Sequence, residues 1–215
     1  MRIENIKKSY KKNQILTDIS LDVERGKCIG ILGCNGSGKS TLLSILAGIV
    51  KSDSGRFVYD NADLLVDHKK RAQLVGYVPQ STPLFDELNA WDNLSLWYTP
   101  SKLKSELENG VLCMLGINEF IKTPVYKMSG GMKKRLSIGC AVAHKPQILL
   151  LDEPSAALDL ICKDKIYQYL HNFKASGNTV LIATHDLQEL NICDELYVLK
   201  NGSLHKTQFS GDVHK

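Results

Sequence analysis

Paired cysteines are absent from this sequence. Its six cysteines are scattered and form no C-x-x-C pair; they are Cys28, Cys34, Cys113, Cys140, Cys162 and Cys193. This spacing argues against a zinc site and against a disulfide framework, and it favours a reducing compartment.

Long apolar runs are also absent. No stretch approaches the roughly 20 residues that a membrane-spanning helix needs. The N-terminal segment MRIENIKKSY lacks the apolar centre of a signal peptide. We therefore expect any membrane role to come through a partner protein.

A strong charge of either sign is missing as well. The 27 Lys and Arg residues against 23 Asp and Glu residues leave a formal net charge of +4. This excess is too small for the basic surface typical of nucleic-acid-binding proteins, so no nucleic-acid partner is expected. With 215 residues, 43% hydrophobic and 23% charged, the chain fits one large globular domain or a core with a smaller inserted subdomain.

A glycine-rich segment stands out at residues 27–48, KCIGILGCNGSGKSTLLSILAG. An apolar run at residues 28–32 predicts a strand, and leucines and isoleucines at helical spacing after Thr41 predict a helix. Between them lies the pattern G-x-x-x-x-G-K-[ST]. Glycines let the backbone wrap around a polyphosphate, and the helix N-terminus adds about half a positive charge at the same place.

The alternative is a glycine-rich turn beside an ordinary lysine, but the strand before and the helix after favour a phosphate-binding loop. Lys39 is expected between the β- and γ-phosphates, and the Ser40 hydroxyl is expected to ligate Mg²⁺. The predicted nucleotide-binding residues of this loop are Gly33, Cys34, Asn35, Gly36, Ser37, Gly38, Lys39, Ser40 and Thr41.

Two adjacent carboxylates follow a buried strand. Residues 148–151 form a continuous apolar run, typical of a strand covered on both faces, and Asp152 and Glu153 come directly after it. Burying two carboxylates is costly without a metal or donors. We assign Asp152 to Mg²⁺ and Glu153 to the base for an attacking water. His185 follows the apolar run 179–183 and is a candidate γ-phosphate contact.

The segment at residues 7–13 is basic and contains one aromatic residue, Tyr10. Such a segment is usually a solvated hairpin tip. Because it precedes the phosphate-binding loop, Tyr10 has a second interpretation as a platform for a base, which stacking stabilises by ~1–3 kcal/mol.

The remaining patterns complete an α/β chain. Strands are predicted at residues 2–6, 15–23, 28–32, 55–59, 74–78, 148–151, 179–183 and 196–200, with 55–59 at a sheet edge. Helical spacing predicts an inserted helical subdomain within residues 81–127 and helices at 132–144, 161–173 and 187–193. The residues after the turn at Asn201 and Gly202 are expected to form a frayed tail.

The helix predicted at residues 132–144 begins with three cations, Lys133, Lys134 and Arg135. Cations at a helix N-terminus oppose the dipole, at a cost of about 0.3–1 kcal/mol each. Solvent exposure could make that cost negligible. The functional interpretation is that an anionic ligand or an acidic surface approaches this end.

Together these motifs resemble the nucleotide-binding subunit of an ATP-binding-cassette (ABC) transporter, over essentially the whole chain. GCNGSGKST is similar to the Walker A motif, and residues 148–152 with Glu153 are similar to the Walker B motif and its catalytic glutamate. Tyr10 matches the aromatic that stacks on adenine, Gln80 the Q-loop glutamine and His185 the switch histidine.

Two further segments carry the resemblance. Residues 155–159, SAALD, are similar to the D-loop, and residues 128–132, MSGGM, resemble the LSGGQ signature with methionine at its first and last positions. Met132 removes a polar side chain near the ribose of the partner's nucleotide. SGGM followed by basic residues is similar to the branch of small exporter-type ATPase subunits.

The resemblance implies an α/β fold: a P-loop NTPase core with a mixed, mostly parallel sheet, an N-terminal antiparallel β subdomain and an inserted α-helical subdomain. We place the core with its β subdomain at residues 1–79 and 141–203 and the helical and signature subdomain at 80–140. A tail at 204–215 completes a single domain of residues 1–215.

The implied function is ATP hydrolysis by two cassettes that close around two MgATP and drive transport, in the export direction of this branch. The implied partners are a second ATPase subunit, identical or paralogous, and a membrane-spanning permease. The protein is then cytoplasmic and peripheral on the cytoplasmic face of the cell membrane. The transported substrate is chosen by the membrane subunit and is not encoded here.

The residue roles implied by the resemblance fall into three groups. The catalytic group is Glu153, His185, Lys39 and Gln80, and the metal ligands are Ser40, Gln80 and Asp152. Tyr10, Ser129, Gly130, Gly131 and Asp159 join the phosphate-binding loop as nucleotide-binding residues, with the signature acting on the partner's nucleotide.

Three other functions remain open. A soluble ABC ATPase of DNA repair, translation or metal-cluster assembly usually has two cassettes in one chain, a coiled-coil insertion or zinc cysteines. A P-loop kinase would need neither the SGG segment nor Glu153 directly after Asp152. A non-catalytic binding module is disfavoured by the intact Lys39, Asp152, Glu153 and His185.

Overall fold

The computed structural model describes residues 1–155 and 158–208. Its strands are β1 Arg2–Tyr10, β2 Asn13–Asp22, β3 Cys28–Leu32, β4 Ser54–Tyr59, β5 Ala62–Asp63, β6 Val75–Val78, β7 Ile148–Asp152, β8 Thr179–Ala183, β9 Glu195–Lys200 and β10 Ser203–Thr207. Its α-helices are α1 Lys39–Ala47, α2 His68–Leu74, α3 Ala90–Ser95, α4 Pro100–Asn109, α5 Val111–Met114, α6 Gly130–Ala141, α7 Leu160–Ala175 and α8 Leu187–Leu190. Short 3-10 helices lie at Ile117–Phe120 and Val125–Lys127.

The strands form one sheet in the order β5-β4-β1-β2-β10-β9-β3-β8-β7-β6. From β9 to β6 all neighbours are parallel. From β5 to β2 all neighbours are antiparallel. The predicted fold class, a P-loop core with an N-terminal antiparallel part, is confirmed. Because parallel strands end at the same edge, the segments after β3, β6, β7 and β8 meet there.

The apolar strands β7 and β8 are covered on both faces. Leu149 and Leu151 of β7 belong to the hydrophobic cluster that contains the core residues of α4, α6 and α7. Ile148 and Leu150 belong to the cluster of α1 with β1, β2 and β4. Side chains of a strand alternate between its faces, so a strand buried between two layers must be apolar at every position.

The described residues contain no helix long and apolar enough to cross a membrane. The division into a core, a helical subdomain and a tail at the stated boundaries stays a prediction. The basic segment at residues 7–13 is the end of a hairpin, because β1 extends to Tyr10, β2 begins at Asn13 and the turn lies at Lys11 and Lys12.

The structure corrects three element predictions. The helix predicted at residues 132–144 is α6, Gly130–Ala141, which begins directly after its N-cap Ser129. The strand predicted at an edge, β4, is paired on both sides, since the two-residue β5 folds back on it. Helix α2 was not predicted, and its polar sequence HKKRAQL buries no residue.

The expected frayed tail is also wrong where it covers residues 203–207, which form β10. The turn at Asn201 and Gly202 (φ 51° and 75°) lets β10 pair with β9. The Thr17 N–H and hydroxyl both donate to the Gly202 carbonyl, at 2.8 and 3.0 Å, and join this hairpin to β2. Residues 209–215 of the expected tail lie outside the described residues.

Removing residues 203–215 is expected to destabilise the protein, because β9 and β2 both lose backbone partners. At about 1 kcal/mol per lost hydrogen bond, the free energy of unfolding should fall by on the order of 2–4 kcal/mol. Thermal unfolding should show a melting temperature lower by about 5–15 °C. A truncation of residues 209–215 leaves β10 in place and is the control. Equal melting temperatures for the two truncations would contradict the role of β10.

Candidate active site

The phosphate-binding loop joins β3 to α1 at the carboxyl edge of the sheet. Gly38, the N-cap of α1, has φ 106° and offers no side-chain cap, and the first turn of α1 holds no acidic residue. A Cβ at Gly33 (φ 158°) would lie 2.8 Å from the Leu199 carbonyl. The helix therefore begins with N–H groups that no side chain satisfies, which is the condition for binding an anion.

Lys39 is folded back over this loop. Its side chain is buried, and Nζ donates to the carbonyls of Gly33 (2.7 Å) and Cys34 (3.3 Å). Carbonyls are weaker partners for an ammonium group than phosphate oxygens are. Lys39 Nζ is thus held at the loop, where the oxygens of a bound polyphosphate can replace the two carbonyls as its hydrogen-bond acceptors.

Asp152 at the end of β7 is almost fully buried, with 2% of its surface exposed. Burial raises the pKa of this carboxyl and Glu153 adds to the rise, while the Ser40 hydrogen bond and the charges of Lys39 and Lys134 oppose it. A hydroxyl and a carboxylate side by side are the oxygen ligands that Mg²⁺ prefers. Ser40 and Asp152 fit this ion, and the metal role of Gln80 stays a prediction.

Three predicted catalytic side chains are in contact, because Gln80 and His185 both reach the carboxylate of Glu153. Its Oε2 accepts from Gln80 Nε2 at 2.9 Å, and its Oε1 lies 3.1 Å from His185 Nδ1. Its backbone has φ 48°, an unfavourable value for a residue with a Cβ, and its N–H donates to the Ala183 carbonyl at 2.8 Å. The fold therefore turns this carboxylate away from the line of the strand and toward the phosphate-binding loop.

These elements surround one cavity of about 390 Å³. Its lining residues are Tyr10, Ile15, Asn35, Gly36, Ser37, Gly38, Lys39, Ser40, Thr41, Gln80, Glu153 and His185. Tyr10 is half exposed, and Lys8 Nζ lies 5.3 Å from its ring centroid. Lys8 is in turn paired with Asp53 at 3.1 Å. The tyrosine and the phosphate-binding loop thus face the same space.

The signature residues do not line this cavity. Ser129 is exposed and caps α6, where its hydroxyl accepts from the Met132 N–H at 3.2 Å. Gly130 is open to solvent, whereas a Cβ at Gly131 would lie 2.6 Å from Cys162 Sγ of α7. The second glycine is therefore required by helix packing, and the phosphate contacts predicted for this segment stay predictions.

Asp159 also lies away from the cavity. It is the N-cap of α7 and accepts from the Cys162 N–H at 2.8 Å, which holds the pKa of Asp159 below its usual value. Its predicted contact with nucleotide is untested. Ala156 and Ala157 of the predicted D-loop lie outside the described residues.

The expectation that the cations of α6 attract an anionic partner is wrong for two of them. Lys134 and Arg135 are buried, at 5% and 6% exposure. Lys134 donates to the carbonyls of Pro79 and Gln80, and Arg135 donates to the Leu115 carbonyl at 2.8 Å. Lys133 forms a surface ion pair with Asp86 at 3.5 Å. Protein acceptors, rather than solvent or a ligand, compensate these charges.

Sequence reasoning missed one buried polar connection beside the site. Glu189 of α8 is fully buried, and its Oε1 accepts from the Ser155 N–H at 2.7 Å. The Tyr167 hydroxyl donates to Ser155 Oγ at 3.2 Å. Burial raises the pKa of the Glu189 carboxyl. The surrounding sequence DLQELN at residues 186–191 is largely polar and gave no sign that Glu189 is buried.

A family model described as ABC transporter matches residues 16–156. The chain belongs to this family. Linearmycin resistance ATP-binding protein LnrL of Bacillus subtilis (strain 168) is 34% identical over 210 residues, which cover 95% of this chain and 67% of that protein. Lantibiotic transport ATP-binding protein SrtF of Streptococcus pyogenes is 32% identical over 190 residues, 88% of this chain and 82% of that protein.

The fold agrees with solved cassettes. The dimeric structure of a post-hydrolysis state of the ATP-binding cassette MJ0796, bound to ADP and Pi, superposes with a TM-score of 0.87 at 29% identity, covering 98% of this chain and 99% of that one. A nucleotide-free ATP-binding cassette from an ABC transporter gives a TM-score of 0.83 at 28% identity, covering 96% and 90%.

This chain is therefore the ATP-binding and ATP-hydrolysing cassette of an ABC transporter, and it uses ATP with Mg²⁺. Cassettes of this family act as dimers together with a membrane-spanning partner. The predicted family, activity and cofactors are confirmed, and the exporter-type branch agrees with the linearmycin and lantibiotic relatives.

Tyr10→Ala is expected to weaken ATP binding, because stacking of a base on the ring contributes ~1–3 kcal/mol, or about 5- to 150-fold in affinity. Tyr10→Trp should keep the affinity, since it keeps an aromatic face. Titration with a fluorescent ATP analogue measures both. Tyr126→Ala, an exposed tyrosine that does not line the cavity, is the matched control. Wild-type affinity in Tyr10→Ala would remove Tyr10 from the site.

Proposed function

We propose that two copies of this cassette, or this copy and a paralogue, close around two MgATP, each site being completed by Ser129 of the opposing copy. The proposal rests on one observation above all. Gln80 and His185 converge on Glu153 beside the phosphate-binding loop, while Ser129 is exposed and lies outside that cavity. A second chain can supply the missing side through the N-terminus of α6.

The roles of the residues follow from their chemistry. The uncapped N-terminus of α1 and Lys39 bind the phosphates, and Ser40 and Asp152 hold the ion. Bound Mg²⁺ supplies neutralising charge on the phosphate oxygens. Glu153 accepts the proton of the attacking water. Gln80 and His185 hold the Glu153 carboxylate in place, and His185, whose side chain is 64% exposed, is free to turn toward the γ-phosphate.

Glu153→Gln is expected to keep the shape of the site and remove the proton acceptor, at a cost of ~10²–10⁴ in hydrolysis rate. ATP then persists and holds the dimer closed. Ser129→Arg is expected to block the opposing site before closure. Size-exclusion chromatography with light scattering, at high protein concentration, should show a Glu153→Gln dimer in MgATP and a monomer without it. Ser129→Arg should remain monomeric in both conditions.

A Glu153→Gln protein that binds ATP and stays monomeric, beside a Ser129→Arg protein that hydrolyses ATP at the wild-type rate, would overturn the composite site. ATP binding by each variant is measured in parallel as the control for folding.

The proposed docking site for the membrane-spanning partner is an apolar groove of about 340 Å³ beside Gln80. Two aromatic residues line it, Phe85 and Trp97, which are 60% and 63% exposed. The nearby Trp91 packs instead against the hydrophobic cluster of the helical region. Exposed apolar patches of this kind mark interaction sites.

This groove supports a location on the cytoplasmic face of the membrane, held there by the partner. Export as the direction is proposed from the names of the relatives, linearmycin resistance and lantibiotic transport. The transported molecule is left open, because no residue of the cassette is proposed to contact it.

Trp97→Asp is expected to abolish membrane association, because it places a charge in the apolar groove, and to leave the ATPase rate of the isolated chain within about twofold. Sedimentation with membranes that contain the partner subunit measures the first, and phosphate release measures the second. Val66→Asp, at a 75% exposed position that does not line the groove, is the control. Equal sedimentation of Trp97→Asp and Val66→Asp would argue against the groove as the docking site.

A further inference from the structure

Lys134 is a buried cation whose described hydrogen bonds go to backbone carbonyls. It lies in the second turn of α6 and is 5% exposed, and its Nζ donates to the Pro79 and Gln80 carbonyls at 3.1 Å each. Neither partner is a carboxylate. A buried ammonium group is costly unless it is hydrogen-bonded, so these two bonds hold the side chain in a defined place.

The two carbonyls belong to the segment that leaves the sheet after β6. Gln80 in this segment also donates to Glu153 Oε2 through its side chain, at 2.9 Å. One residue therefore contacts α6 through its backbone and the catalytic carboxylate through its amide. At the other end of the first turn of α6 lies Ser129, the N-cap. Hydrogen bonds therefore run from Glu153 through Gln80 to Lys134, and Lys134 lies on the same helix as its N-cap Ser129.

The neighbouring cations of α6 make different contacts. Lys133 pairs with Asp86 at the surface, and Arg135 binds the Leu115 carbonyl and lies 4.9 Å from the Phe120 ring centroid. Of the three, Lys134 is the one whose described hydrogen bonds reach the Gln80 segment. The carboxylates of Asp152, Glu189 and Glu153 favour its charged form, whereas burial lowers the pKa of Lys134.

We propose that Lys134 is a positioning residue that couples the two ATP sites: it ties the signature helix to Gln80, so that the approach of Ser129 to the opposing nucleotide depends on the position of Gln80 in its own site. This inference rests on the proposed composite dimer. Without Lys134 each copy still binds ATP, but α6 is no longer oriented by what Gln80 contacts. Dimer closure then needs a higher MgATP concentration, and ATP bound at one site promotes closure of the other site less strongly.

Lys134→Met tests this, because methionine keeps an unbranched apolar chain and removes the charge and the donor. In the Glu153→Gln background, the MgATP concentration for half-maximal dimerisation should rise at least about tenfold, the effect of losing a hydrogen bond to a charged group. In the Ser129→Arg background, which is expected to stay monomeric, the ATP affinity should remain within about twofold. In the otherwise unchanged protein, the KM for MgATP should rise and the Hill coefficient should fall, because hydrolysis requires the closed dimer.

Two variants serve as controls. Lys134→Arg keeps a donor and a charge and should restore dimerisation, which a loss of packing alone does not predict. Lys133→Met removes a cation one position away and should behave as its parent does. If Lys134→Met does not fold, Lys134→Gln is measured in its place, with the same directions expected.

Each outcome decides between the proposals. A Glu153→Gln parent that stays monomeric overturns the proposed function and this inference with it. A parent that dimerises, beside a Lys134→Met protein that dimerises at the same MgATP concentration, overturns this inference alone. A Lys134→Met protein that loses ATP affinity equally in the monomeric background shows that Lys134 acts only on its own site, which also overturns the coupling.

Discussion

The structure depends on holding two adjacent carboxylates at the end of a buried strand. Asp152 points into the protein and Glu153 into the cavity, and burial of Asp152 raises its pKa. Ser40 and Lys39 of α1 offset the cost of burying Asp152. Gln80, from the segment after β6, and His185, from the segment after β8, bind Glu153 instead. Parallel strands that end at one edge make this convergence possible.

The same constraint explains why the groups of one chain surround the nucleotide cavity only from the carboxyl edge of the sheet. Each group that faces Glu153 arrives at the carboxyl edge of the sheet from a neighbouring strand, whereas Ser129 belongs to α6, which starts in the helical region. Ser129 therefore cannot close the cavity of its own chain without moving away from the packing of Gly131 against Cys162. In the proposed dimer, Ser129 of a second cassette completes the cavity with no such rearrangement.

Buried cations play a larger part than the charge pattern suggests. Lys134 and Arg135 looked like a solvent-facing basic end of a helix, yet both donate to backbone carbonyls inside the protein. They connect α6 to the Gln80 segment on one side and to the 3-10 helix at Ile117–Phe120 on the other. These contacts attach α6 to the segments on both of its sides.

The sequence by itself determined the parts of this protein whose chemistry is local. Gly33, Gly38, Lys39 and Ser40 form the loop and uncapped helix start expected of a phosphate-binding loop, because glycine conformations and a helix N-terminus act within a few residues. The continuous apolar runs of β7 and β8 likewise identify strands covered on both faces, since side chains alternate along a strand.

Tertiary structure alone decided what depends on contacts between distant segments. Strand β10 forms because β2 and β9 supply its partners, and its own residues gave no such signal. Whether Lys134 met solvent, a ligand or the Gln80 carbonyl was set by the packing of α6 against the end of β6. Burial of a charge is a property of its surroundings, and helical periodicity contains no information about the acceptors that a neighbouring loop will present.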